Sequence, residues 1–117
     1  RRAIEAANQK LSPNLSSQPT LVVTVVRQLA LTAASEYEGA VDGMQISETI
    51  EYQDARGFLL QADRLLAQAL VTAPAAATTL QPARGRIAEM LKAFPSAQPP
   101  QRAVLSVSAV EALAEGI

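Results

Sequence analysis

The chain contains no cysteine, no histidine and no tryptophan. Without thiolate or imidazole there is no zinc site of the usual kind, no thiol nucleophile, no haem ligation by histidine and no Ser-His-Asp triad. The absence of cysteine suits an oxidising compartment as well as a reducing one, so it assigns the protein to neither. Aromatic residues are equally scarce: Tyr37, Tyr52, Phe58 and Phe94 are the whole set. So few rings leave little material for a sugar-binding cleft, which argues against paired-carboxylate chemistry of the glycosidase type. No Gly-rich phosphate loop is present, and no other catalytic constellation stands out, so the chain does not read as an enzyme. Charge is nearly balanced, at -1 overall. That gives no field for nucleic acid, and no basic patch appears. The longest strongly apolar run, "LVVTVVRQLALTAA", carries Arg27. It falls short of the ~20 residues a bilayer crossing needs. Nothing resembles a signal peptide, and an opening "RRAIEAANQK" without Met reads as a processed protein or an excised fragment.

What the chain does have is aliphatic bulk. Hydrophobic residues make up 49% and charged residues 18% of 117 positions, enough for one domain with a single modest core. The apolar share is mostly Ala, Leu and Val, which suits closely packed helices better than a sandwich of sheets. Residues 1–10 read as a short helix, and Pro13 and Pro19 break the stretch that follows. From Thr20, as N-cap, a long helix is expected, with Val22, Val26, Leu29, Ala33 and Glu36 at alternating +4 and +3 steps. Gly39 and Gly43 are candidates for positive φ in the turn "GAVDG". Ser47 is the expected cap of the next helix, with Glu48 in its first turn. The seam of that helix is Glu48, Tyr52, Ala55, Leu59, Ala62, Leu66 and Ala69, leaving Arg56, Asp63, Arg64 and Gln68 wet, and Pro74 marks its end. "TAPAAATTLQPA" reads as a loop, with Pro82 starting a helix that carries Ile87, Met90, Leu91 and Phe94. After the rigid turn "PSAQPP", a last helix is expected over roughly 100–115, with Ala103, Val107, Val110 and Ala114 on one face and Gly116 at its end. The expected architecture is all-α: an antiparallel, up-down-up-down four-helix bundle over 20–117, with an N-terminal extension over 1–19.

On that scaffold "EYEGAVDGMQISETIEY" closes a helical hairpin. It brings Glu36, Tyr37, Asp42, Glu48, Glu51 and Tyr52 to one tip of the bundle. Carboxylates held together need a cation or shared protons to relieve them. Oxygen donors without His or Cys suit ferric iron, Mn²⁺, Ca²⁺ or Mg²⁺, and a phenolate is a good hard partner for ferric iron. A metal-free reading stands beside this one. Acids in the first turn of a helix are favoured by its dipole alone, and tyrosines can plug a bundle end with each hydroxyl bonded to backbone or carboxylate. Only Glu36 and Glu38, at the unfavourable C-terminal end of a helix, have no such explanation.

The order Tyr37, Gly39-Ala40-Val41, Asp42-Gly43, Ile46, Glu51-Tyr52 and Phe58, followed by the later "IAEMLKAFPSAQPPQRAVLSVSAVEALAEGI", resembles the extracytoplasmic helical domain of bacterial iron permeases of the oxidase-linked iron transporter family. The resemblance covers roughly residues 24–115. Glu36 stands where that family has Asp, Ser47 where Asn is common, Asp54 where Glu is common, and Gly57 where a polar residue is usual. The resemblance implies a periplasmic or other extracytoplasmic domain, part of a membrane protein, that receives iron (Fe²⁺ or Fe³⁺) and passes it to an attached or associated permease. It also implies that the tip residues serve as ligands. No Arg-Glu-x-x-Glu motif of the permease type occurs, so the transport machinery is expected outside this chain. The alternative is a metal-free structural or partner-docking bundle. Self-association into a homo-oligomer is open to either.

Overall fold

The computed structural model describes residues 17–117; the expected helix over 1–10 and most of the expected N-terminal extension lie outside the described residues. Four α-helices account for most of what is described: α1 (Pro19–Ala40), α2 (Thr49–Thr72), α3 (Ala77–Leu91) and α4 (Val107–Glu115). They pack as an up-down-up-down four-helix bundle in which α1 meets α2 and α4, and α3 closes the ring between them. The core follows the helical period. Val22, Val26 and Ala33 of α1, and Tyr52, Ala55, Leu59, Ala62, Leu66 and Ala69 of α2, are fully buried. Alanine on facing positions lets α1 and α2 approach closely along most of their length. Among the described residues no helix is long and apolar enough to cross a membrane.

Several boundaries differ from the sequence reading. Pro19, not a capping Thr20, opens α1: its fixed φ suits a first helical position and its missing N–H costs nothing there. Thr20 sits in the first turn and its carbonyl accepts from the Thr24 hydroxyl at 3.1 Å. The buried stripe of α1 runs through Tyr37 to Ala40 rather than through Glu36, which is only half-buried, because the ring fills core volume that a carboxylate could enter only at a desolvation cost. Between α1 and α2 the chain forms a two-stranded hairpin, β1 (Val41–Asp42) and β2 (Gln45–Ile46), in place of a plain turn. Gly43, with φ of +65°, takes the first central position of its two-residue loop, the place where a type II′ turn calls for glycine. Gly39 stays helical. Ser47 does not cap α2; its hydroxyl bonds the Ala40 carbonyl at 3.3 Å, and an exposed Glu48 holds the N-cap position without a side-chain cap.

Two further departures lie in the second half. Pro82 is inside α3 rather than at its start, since a 3-10 turn over Pro74–Ala76 has already set the helix going. Residues 92–106 are an irregular crossover, so α4 is shorter than expected and starts at Ser106, whose hydroxyl accepts from Ala109 N at 3.1 Å. Arg56 and Asp63 are half-buried rather than wet: the Arg84 guanidinium reaches from α3 to Asp63 at 2.9 Å, while Arg56 bonds the Phe94 carbonyl at 3.3 Å. Midway along α1, Arg27 donates to the carbonyls of Glu115 (3.1 Å) and Ile117 (3.4 Å) at the C-terminal end of α4. Arg86 packs over Gly116, where any Cβ would collide with its guanidinium. Both cations thus meet the negative end of α4.

Pro82 interrupts the helical ladder, because it has no N–H for the Thr78 carbonyl. Pro82→Ala restores that bond, and even after the loss of the proline's effect on the unfolded chain it is expected to stabilise the bundle by about 1–2 kcal/mol, or ~5–10 °C in Tm by thermal denaturation.

Candidate functional site

The tip of the bundle is where α1 ends, α2 begins and α3 runs into the crossover. Three rings organise it. Phe94, just past α3, contacts Tyr37 of α1 edge-on, with centroids 5.1 Å apart and planes at 66°. It contacts Tyr52 of α2 at 5.0 Å and 42°. Both tyrosines are completely buried and Phe94 nearly so. A buried phenol needs a hydrogen-bond acceptor, and each finds one on the crossover. Tyr37 donates its hydroxyl to the Leu105 carbonyl, and Tyr52 donates to the Ser96 carbonyl at 3.0 Å. Gln53 adds a bond from its amide to the Ala97 carbonyl at 3.0 Å. The hairpin completes the tie: Ala103 N donates to the Met44 carbonyl at 2.7 Å, and Gln45 pairs with Arg102 in a β-bridge. The tyrosines therefore fasten the crossover across the end of the bundle.

Burial raises both phenols above their usual value near 10. For Tyr37 a charge on Tyr52 would add to the effect, whereas the Arg56 guanidinium partly offsets it at Tyr52. Each hydroxyl is held as a proton donor, the form a carbonyl acceptor requires.

The six residues expected at the tip fall into two groups. Tyr37 and Tyr52 are inside, 0% exposed, with their hydroxyls engaged. The four carboxylates are on the rim: Asp42 and Glu48 exposed, Glu36 and Glu51 half-buried. Glu51 of α2 reaches across to α1, its Cγ in ordinary contact range (3.9 Å) of where a Cβ on Gly39 would stand. No lysine or arginine forms a salt bridge with any of these four acids among the described residues. The acids share one end of the molecule, yet no three Asp or Glu side chains among the described residues come close enough to hold a metal ion together.

The sequence reading overlooked two features. One is Phe94, assigned to a helix face there, which in fact joins the two tyrosines. The other is a groove of about 140 Å³ between α1 and α4, floored by Leu31 and Ala34 and edged by Glu38, Glu111 and Glu115. The spacing of Glu111 and Glu115, one turn apart, was the available signal for it.

These features define a class: an all-α four-helix-bundle domain, closed at one end by buried tyrosines under an acidic rim. The chain belongs to the iron permease-associated 4-helix bundle domain family, which matches residues 12–117. That family is a component of iron transport and is associated with a membrane permease. No curated protein and no solved structure gives a significant match.

The raised phenols set the alkaline behaviour. An ionised phenol costs more in the folded chain than in the unfolded one, so above pH ~10 the unfolded state sheds protons first and stability falls; below that pH this contribution is fully present. Tm should stay level up to about pH 9.5 and drop beyond it. Tyr37→Phe and Tyr52→Phe should each lower stability at neutral pH by about 1–2 kcal/mol and flatten the alkaline drop, read by thermal denaturation across pH.

Proposed function

We propose that this domain is an extracytoplasmic iron-handling module that collects iron on its acidic tip and passes it to the permease with which its family is associated. The observation that carries the reading is the set of four carboxylates, Glu36, Asp42, Glu48 and Glu51, gathered at the hairpin end with no cationic partner among the described residues. Unneutralised carboxylates at one pole attract hard cations, and oxygen donors of this kind suit iron and Mn²⁺ better than soft metals. Their spread-out arrangement suits delivery. An ion held by one or two carboxylates and its own water exchanges readily, whereas a closed cage would retain it. Iron is cargo here, not a resident cofactor.

Tyr37 and Tyr52 can join as ligands only if each hydroxyl loses its proton and leaves its carbonyl on the crossover. In the closed tip the carboxylates are the working donors. A second reading, a metal-free bundle that docks on its partner, draws support from the same hydroxyl bonds, which give both tyrosines a complete structural role.

Titration of the metal-free chain with Fe²⁺, Fe³⁺, Mn²⁺ and Ca²⁺ under calorimetry separates the two. The iron reading expects binding in the micromolar range, weakened at least tenfold by Glu48→Gln with Glu51→Gln, at unchanged Tm. Ferric iron should give no visible phenolate charge-transfer band while the crossover stays fastened. Failure of every ion to bind more tightly than about 1 mM would leave the metal-free reading standing.

A further inference from the structure

Sulfur occurs at two places in the chain, Met44 and Met90, since there is no cysteine. The fold treats them oppositely. Met90, in the last turn of α3, is 0% exposed and belongs to the core. Met44 is 39% exposed and lies outside the core cluster. It takes the second central position of the hairpin loop, after Gly43 and between the paired strand ends Asp42 and Gln45. Turn positions of this kind favour Gly, Asn, Asp and Ser, so a long apolar thioether is unexpected there on local grounds. What ties Met44 into the fold is its main chain: its carbonyl accepts from Ala103 N at 2.7 Å. The thioether takes no part in that bond.

We propose that Met44 is a redox-sensitive element of the acidic rim, oxidised by peroxide to the sulfoxide reversibly and with the fold intact. The step needs no group from the protein. A sulfur lone pair attacks one peroxide oxygen, and the S–O bond forms as the O–O bond breaks. The departing hydroxide takes up the proton left on the transferred oxygen. Sulfur loses two electrons, peroxide gains them, and water is the second product. A side chain in contact with solvent meets peroxide directly, whereas Met90 must wait for the core to open. The products differ as well. A sulfoxide at Met44 keeps its new dipole in water, while one at Met90 would carry that dipole into an apolar core.

Position gives the change a consequence. Asp42 is two residues away, so the two Cα atoms lie within about 7.6 Å of each other. Glu48 follows at the entrance of α2. A thioether is a soft donor, ill matched to the hard cations that suit carboxylates, but a sulfoxide oxygen is a hard one. Oxidation therefore adds an oxygen donor to a rim whose carboxylates, on the iron reading, leave coordination positions to water. This consequence rests on that reading; the selectivity of the oxidation does not.

The test is graded hydrogen peroxide treatment of the full chain, with oxidation at each methionine read from peptide masses. Met44 should gain one oxygen at least about tenfold faster than Met90, at unchanged Tm, and methionine sulfoxide reductase should remove it. After removal of the peroxide, Mn²⁺ and Fe³⁺ should bind about threefold or more tightly than before treatment, and the same treatment of Met44→Leu should leave their affinity unchanged. Oxidation of Met90 as fast as Met44 would overturn the proposal, as would unfolding when Met44 alone is oxidised. So would tightening that persists in Met44→Leu, or ion binding that oxidation leaves unaltered. If the untreated chain binds no ion more tightly than about 1 mM, the iron reading fails instead, and the masses and Tm still decide whether Met44 is the oxidation site.

Discussion

Three rings on three different segments hold the hairpin end of this bundle together. Phe94 lies against both Tyr37 and Tyr52, at centroid distances of 5.1 and 5.0 Å. In an alanine-rich core they are the large groups that fill the space where the helices diverge. Such contacts add roughly 0.5–1.5 kcal/mol per pair beyond the area they bury. Their consequence reaches further than packing. Each phenol oxygen sits at the end of a rigid ring and must bond something in a dry environment. Both acceptors are crossover carbonyls, so residues 96–105 are drawn over the tip and against the hairpin. The position of the acidic rim follows from that arrangement.

This division of labour sharpens the link to iron transport. Tyrosines and acids alternate closely in the sequence, but the structure sends the rings inward and the carboxylates outward. The rings provide the framework; the rim provides charge that no lysine or arginine among the described residues neutralises. On the proposed iron-handling role, donors that remain hydrated and exchangeable would favour release of the ion. Membership of the iron permease-associated family gives that arrangement a biological setting.

Much of the bundle was legible in the sequence because apolar spacing at 3.6 residues is a direct record of which face is buried. Six of the seven seam positions expected in α2 are buried; the exception, Glu48, is a charged residue at the helix entrance. What escaped has specific physical causes. The short hairpin has only two residues per strand, too few for an alternation to show. Pro82 reads as a helix start, yet Ala-rich residues before it had already formed a turn. Residues 100–106 have helical spacing, but the bonds from Tyr37 and from the hairpin hold them extended across the tip. That these residues lie near the turn between α1 and α2 was readable from the order of the helices, although no three of their acids come together among the described residues. Whether each points in or out was decided by tertiary partners, above all Phe94, which no local pattern connects to Tyr37.

The central claim is that the two hydroxyls fasten the crossover. Amide hydrogen exchange on the wild-type chain and on the double variant Tyr37→Phe/Tyr52→Phe, at neutral pH, tests it most directly. Ala103 N, which donates to Met44 at 2.7 Å, is the reporter, with the buried middle of α2 as internal reference. The account predicts that protection at Ala103 falls by about tenfold or more relative to α2, since each lost bond removes on the order of 1 kcal/mol. Protection that falls equally at both places, or at neither, would contradict it.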